Sequence, residues 1–212
     1  MRKILGLSAA VALAGCVSME APVLPASFTT KDGAYNAQYI DKARFEFPAP
    51  TNVESFTDRV ARCGVSNLSI DSFIAKDTSK SWVGPATGRL YQSGNRSTVA
   101  GGEVLKYSSE AEGVVILAGR EQYGENNMGV IGVLGDPSGD TFKKQLDFDI
   151  EIAKSGATYS MVFGNLKRAQ QSTGSLENNG FTPIGVWKGS QADEIVPIIE
   201  RTASSLNDCI QS

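Results

Sequence analysis

Gln145-Leu146-Asp147-Phe148-Asp149-Ile150-Glu151-Ile152-Ala153 alternates without a break. Leu146, Phe148, Ile150 and Ile152 fall on one face of an extended chain, and Asp147, Asp149 and Glu151 on the other. Successive strand residues point to opposite sides, so this period of two predicts a half-buried antiparallel strand. A two-residue turn at Ser155-Gly156 follows, and with it Ile152 pairs with Tyr159, Ile150 with Met161 and Phe148 with Phe163. Apolar meets apolar at each position, as expected of neighbouring strands that share a buried face.

Outward from this hairpin the middle of the chain stays strand-like. Val114-Val115-Ile116-Leu117 and Val130-Ile131-Gly132-Val133-Leu134 are short apolar runs, and Gly135–Asp140 is a turn. Phe181–Trp187 adds a last strand, and Leu90-Tyr91 and Val104–Tyr107 are weaker strand signals. Phe45 and Phe47 alternate with charged residues, and Pro48 and Pro50 stop whatever precedes them.

Two helices flank the strands. Thr51-Asn52-Val53-Glu54 has capping-box spacing, Val53, Phe56, Val60 and Cys63 form an apolar stripe, and Gly64 suits a left-handed close. Ile195, Ile198, Ile199, Leu206, Cys209 and Ile210 mark one face of a C-terminal helix, capped by Ser190 or Asp193, with Pro197 in its first turn. The expected fold class is α+β: a largely antiparallel meander sheet with an N-terminal and a C-terminal helix packed on one face.

The composition removes much chemistry. The 212 residues hold 20 Lys+Arg against 23 Asp+Glu and no histidine. Without histidine there is no Ser-His-Asp or Cys-His triad and no His-ligated metal site. The slight negative charge speaks against a nucleic-acid partner. No Gly-x-Ser-x-Gly elbow, Ser-x-x-Lys pair, Walker loop or dinucleotide fingerprint occurs. Asp147, Asp149 and Glu151 form the one ordered acidic row, at a spacing of roughly 7 Å. That row suits a carboxylate pair or a weak Ca²⁺ site, but more simply it is the solvated face of a strand. Asp136 and Asp140 read the same way, as turn residues. No catalytic residue and no metal ligand is assigned.

Gly119–Met128 reads as an exposed hairpin tip between two strands. Arg120, Tyr123 and Asn126 on it are candidates for contact with a protein partner, against the plainer reading of a solvated loop. Trp82 and Trp187 suit ring stacking on a glycan or peptide, though large aromatics are mostly core or edge residues.

The N-terminus carries an address. Arg2 and Lys3 precede an uncharged run, and Leu13-Ala14-Gly15-Cys16 closes it. The run is shorter than the roughly 20 residues a spanning helix needs. Charged start, apolar core and small residues before a cleavage point are the layout of a secretory signal. Leu-Ala-Gly-Cys is similar to the bacterial lipobox at all four positions, over the first sixteen residues alone. The resemblance implies a bacterial lipoprotein: diacylglycerol on the Cys16 thiol, cleavage after Gly15, and an acyl group such as palmitate on the new amine. Several acyl chains together anchor stably, where one is marginal. The alternative is an ordinary signal cut elsewhere. Val17 after the cysteine, where an Asp would favour the inner membrane, resembles the sorting pattern of outer-membrane lipoproteins. Losing residues 1–15 removes Arg2 and Lys3 and takes the net charge from −3 to −5.

The organisation expected is signal peptide 1–15, lipidated tether 16–27 and one α+β domain 28–212. Pro22 and Pro25 in the tether break any periodic element. With Cys16 lipidated, Cys63 and Cys209 remain, both at the apolar edge of a helix. In an oxidising compartment they read as a disulfide joining the two helices, with two buried thiols as the alternative. No cofactor is expected beyond the covalent lipid. The functional expectation is a non-enzymatic envelope lipoprotein, facing the periplasm from the outer membrane. Its partners are the bilayer and another envelope protein. A peptidoglycan- or glycan-binding module is the alternative, and a carboxylate-based hydrolase the third reading.

Overall fold

The computed structural model describes residues 22–51, 55–91, 93–124 and 143–212. In it a seven-stranded antiparallel sheet carries two helices on one face. Strands β1 (Phe28–Asp32), β2 (Gln38–Pro48), β7 (Leu105–Ser109), β8 (Val114–Tyr123), β9 (Lys144–Ser155), β10 (Thr158–Gln170) and β11 (Thr182–Pro183) build the sheet. Its order is β1-β2-β10-β9-β8-β7, and β11 pairs with β10 beyond the end of β2. β7 to β10 are a meander, as expected of the class. Helix α1 (Phe56–Asn67) and helix α2 (Ala192–Gln211) lie side by side on it, and the fold is α+β. Between α1 and β7 the chain makes a two-stranded ribbon. Its base is β3 (Phe73–Lys76) with β6 (Arg96–Val99), and its tip is β4 (Trp82–Val83) with β5 (Leu90–Tyr91).

The alternating strand is β9. Leu146, Ile150 and Ile152 are fully buried, Phe148 nearly so, and they face Phe56, Val60, Ile195, Ile199 and Leu206 of the helices. The turn after it sits one residue later than expected, at Gly156-Ala157, with Gly156 at φ +61°. A tight hairpin turn favours a positive φ there, which glycine adopts without strain. Moving the turn by one residue moves each partner by two, so Ile152 pairs with Met161 and Ile150 with Phe163. A shift of two keeps every side chain on its face, so the apolar matching survives.

Further along β10 the alternation breaks. A bulge between Gly164 and Lys167 holds Asn165 at φ +51°. One extra residue reverses the faces, so Leu166 enters the helix-side core while Ala169 turns to the opposite face. There Ala169 meets Phe73, Ala75, Val99 and Phe181 in a second, smaller core under the base of the ribbon.

The helix ends differ from the sequence reading. Ser55 caps α1, its Oγ accepting from the Asp58 N–H at 3.2 Å, and residues 52–54 of the expected capping box lie outside the described residues. Ser55 and Asp58 offer the same three-residue spacing one turn later. Gly64 does not end α1, which runs three residues further. A Cβ on Gly64 would stand 2.5 Å from the Leu117 side chain, so glycine is there for close approach of helix to sheet. α2 begins after Gln191, which caps with its backbone at φ +65° and no side-chain bond. Pro197 is therefore in the second turn, where its missing N–H leaves a carbonyl of the first turn without its helical partner.

Phe45 and Phe47 close β2, and the expected strand Phe181–Trp187 shrinks to Thr182–Pro183 plus one bridge from Gly185 to Tyr39. Val130–Leu134 and Gly135–Asp140 lie outside the described residues. Cys63 and Cys209 form a disulfide, with Cα atoms 5.8 Å apart. It joins α1 to α2 as the two apolar stripes require.

Candidate functional site

The ribbon base stands against the outer face of the sheet and makes a corner with it. Ile74, Lys76, Arg96 and Thr98 share one side of the β3–β6 pair, since Ile74 is opposite Thr98 and Lys76 opposite Arg96. Gln122 of β8 and Gln145 of β9 are cross-strand partners on the sheet. Together with Gln171 these residues line a cleft of about 700 Å³. The floor is a side-chain amide cluster. Gln145 Nε2 and Gln171 Nε2 donate to Gln122 Oε1 at 3.3 and 3.2 Å. Gln145 is only 5% exposed, so its rotamer is held by packing as well as by that bond. The wall is cationic: Arg96 is exposed and, among the described residues, its guanidinium has no polar partner.

Arg120 fixes the corner. Its Nε donates to Asp147 Oδ1 at 2.9 Å, and one terminal nitrogen donates to the carbonyls of Asp71 and Ala100 at 2.7 and 2.9 Å. Those carbonyls lie together at the Phe73–Val99 end of the ribbon base, where the chain enters β3 and leaves β6. The guanidinium carbon is 5.5 Å from the Phe73 ring centre and 5.1 Å from that of Phe181, an arrangement in which both ring faces favour the cation. The side chain is 7% exposed.

This overturns the exposed hairpin tip for residues 119–123, while residues 125–128 lie outside the described residues. Gly119–Tyr123 continue β8, so Arg120 is a buried latch rather than a solvent-facing contact. Tyr123 points to the opposite face and packs on the helix-side core. Arg120 and Tyr123 are thus not brought together, and Asn126 lies outside the described residues. The signal was present: extending the alternation of Val115 and Leu117 reaches Glu121 and Tyr123 on the inside, Arg120 and Gln122 on the outside. Asp147 is corrected with it. It is held by Arg120 under the ribbon, whereas Asp149 accepts from Asn165 Nδ2 at 3.0 Å and Glu151 is exposed.

Asp77, at the joint between ribbon base and tip, was not singled out by sequence. It is buried and accepts four hydrogen bonds: from the backbone N–H groups of Asn95, Ser79 and Asn178 and from the Ser79 hydroxyl, at 2.7–3.0 Å. These donors, led by the Asn95 N–H, hold its carboxyl well below the usual carboxylate range. Asn178 extends the joint by donating to the carbonyls of Lys76 and Gln170.

A smaller cavity of about 170 Å³ lies at the end of β8 and β9, lined by Tyr123, Lys144, Arg168 and Gln191. Burial pushes the Tyr123 hydroxyl up to about 12. Among the described residues that hydroxyl makes no hydrogen bond. Lys144 is paired with Glu194 at 2.7 Å, and Arg168 donates to Gln191 Oε1 at 2.6 Å.

Trp82 and Trp187 line neither space. Neither is a core residue: Trp82 stacks on Tyr91 at the exposed ribbon tip, and Trp187 packs edge-on against Tyr39 at the rim. Among the described residues no group of three or more His, Cys, Asp or Glu is placed to hold a metal ion, and no helix is long and apolar enough to cross a membrane. No family model and no curated protein matches the chain. Among solved structures the chain is similar to a DUF4468 family protein from Bacteroides ovatus, at 10% identity and a TM-score of 0.49, over 82% of this chain and 87% of that one.

Proposed function

We propose that this chain is an outer-membrane lipoprotein, anchored through lipid on Cys16, that serves as a non-enzymatic accessory or assembly component by binding another envelope protein in the cleft at the ribbon–sheet corner. The amide floor carries the reading. A side-chain amide offers a donor and an acceptor side by side, as a peptide group does, so Gln122, Gln145 and Gln171 match an extended protein segment. Arg96 on the wall supplies a cation for an acidic side chain of that segment. The glycan reading draws less support, since the two tryptophans that would stack on sugar rings lie outside the cleft.

A photo-crosslinking residue at Thr98, in protein made in a bacterial envelope, tests this. The expected result is one discrete adduct with an envelope protein, lost on Arg96→Glu or Gln122→Ala at unchanged folding. Retention on cell-wall sacculi with no protein adduct would replace the reading with the glycan one. Mass spectrometry of the N-terminal peptide tests the anchor: acylated Cys16 is expected, and an unmodified N-terminus elsewhere would overturn it.

A further inference from the structure

The ribbon tip combines three features that the cleft does not use. Trp82, Val83, Leu90 and Tyr91 are 54%, 60%, 59% and 43% exposed. They form two consecutive cross-strand pairs, Trp82 with Tyr91 and Val83 with Leu90. Consecutive pairs on a two-stranded ribbon face opposite sides, so the tip is apolar on both faces. A docking surface for one partner needs a single apolar side, whereas an apolar medium that surrounds the tip uses both.

Charge is segregated in the same place. Residues 78–95 contain no Asp or Glu and hold Lys80 and Arg89, in a chain whose net charge is −3; the Lys80 ammonium donates to Asn95 Oδ1 at 3.0 Å and keeps further donors for a phosphate. Among the described residues the Arg89 guanidinium, in the turn of the tip, has no polar partner. The turn closes its own backbone: Gly84 N–H donates to the Arg89 carbonyl, and the N–H groups of Thr87 and Gly88 donate to the Gly84 carbonyl. A turn that satisfies its polar backbone groups enters a poorly hydrated layer at lower cost.

We propose that the β4–β5 tip inserts into the anionic headgroup layer of the bilayer that anchors the chain, with Trp82 and Tyr91 at the level where headgroups meet acyl chains and Arg89 and Lys80 against lipid phosphates. Trp and Tyr rings favour that level because they are apolar with one polar atom. Basic side chains are drawn to the negative surface within about a Debye length. This rests on the lipid-anchor reading above. From Cys16 to the first described residue the chain reaches roughly 20 Å at most, which keeps the domain beside the membrane.

The test uses the full-length lipidated protein in phosphatidylethanolamine–phosphatidylglycerol vesicles. Trp187→Phe leaves Trp82 as the sole tryptophan. Bromine at carbons 6 and 7 of the acyl chains is expected to quench Trp82 emission at least twofold, and more than bromine at carbons 11 and 12. The Trp82→Phe protein, reporting Trp187, stays unquenched. Lys80→Gln with Arg89→Gln, or phosphatidylcholine in place of the anionic lipid, reduces the quenching severalfold, since each basic residue near the surface changes partitioning roughly fivefold. Equal quenching in phosphatidylcholine would overturn the anionic assignment. Unquenched Trp82 in protein that floats with the vesicles would overturn the insertion, as would a Trp82 shift seen only with sacculi or a protein partner. If Cys16 proves unmodified, the anchor reading fails on its own. Millimolar vesicles added to that protein then decide the tip: quenching of Trp82 supports insertion and its absence overturns it.

Discussion

Arg120 is a charge placed where burial would be costly without partners. Asp147, two backbone carbonyls and two aromatic rings supply them. Removing one partner of a buried pair leaves the rest of the desolvation cost uncompensated. Arg120→Ala is therefore expected to lower unfolding stability by roughly 2–4 kcal/mol, read from urea melts. Arg120→Lys recovers little of this, because an ammonium has no planar fork to reach carboxylate and carbonyls together. A second residue-scale prediction concerns two tyrosines. Burial raises both Tyr123 and Tyr159 to about 12, from an ordinary value near 10. In the unfolded chain they ionise at the lower pH, so the folded protein is undiminished below pH 10 and loses stability as pH rises from 10 to 12. Ultraviolet titration is expected to show Tyr123 and Tyr159 ionising above pH 10, coincident with loss of near-ultraviolet ellipticity, and Tyr123→Phe and Tyr159→Phe each to remove one such group.

At the scale of the element, β9 carries two faces with different consequences. Ile150 is fully buried between sheet and helices, and Ile150→Ala is expected to cost about 2–5 kcal/mol through lost burial and the cavity left behind. Asp149 on the other face has one hydrogen bond to a neighbouring strand, and Asp149→Ala is expected to cost under about 1 kcal/mol. Equal losses in the same melts would show the face assignment to be wrong. The alternation of β9 was readable because one uninterrupted core covers one side of it. β10 was readable only as far as Gly164. Its bulge adds one residue, and a rule that counts by twos then assigns every later side chain to the wrong face.

For the whole molecule, the disulfide ties the first helix to the last across a sequence separation of 146 residues. Chain entropy alone puts its contribution at about 5 kcal/mol for a loop of this length. The Cys63→Ala, Cys209→Ala protein is expected to unfold about 2–5 kcal/mol more easily in denaturant, while keeping its far-ultraviolet spectrum, because α1 and α2 also share apolar contacts with the sheet. Thiol labelling of the denatured wild-type protein without reductant is expected to find neither Cys63 nor Cys209 free.

The sequence by itself determined the α+β class, the central antiparallel hairpin and the two amphipathic helices. It also put Cys63 and Cys209 at the apolar edges of those helices, and the bond between them follows once the helices lie side by side. Each follows from a local period or from a stripe that must find a partner stripe, and periods are properties of a few consecutive residues. Three features were decided only in three dimensions. The ribbon base is short and mixed in character, and its strands are specified by Ala169, Phe181 and Arg120, all distant in sequence. The cleft floor joins Gln122, Gln145 and Gln171, which share no spacing because three different segments bring them together. The burial of Arg120 reverses what its charge suggests, since only the folded chain sets two carbonyls, a carboxylate and two rings around one guanidinium.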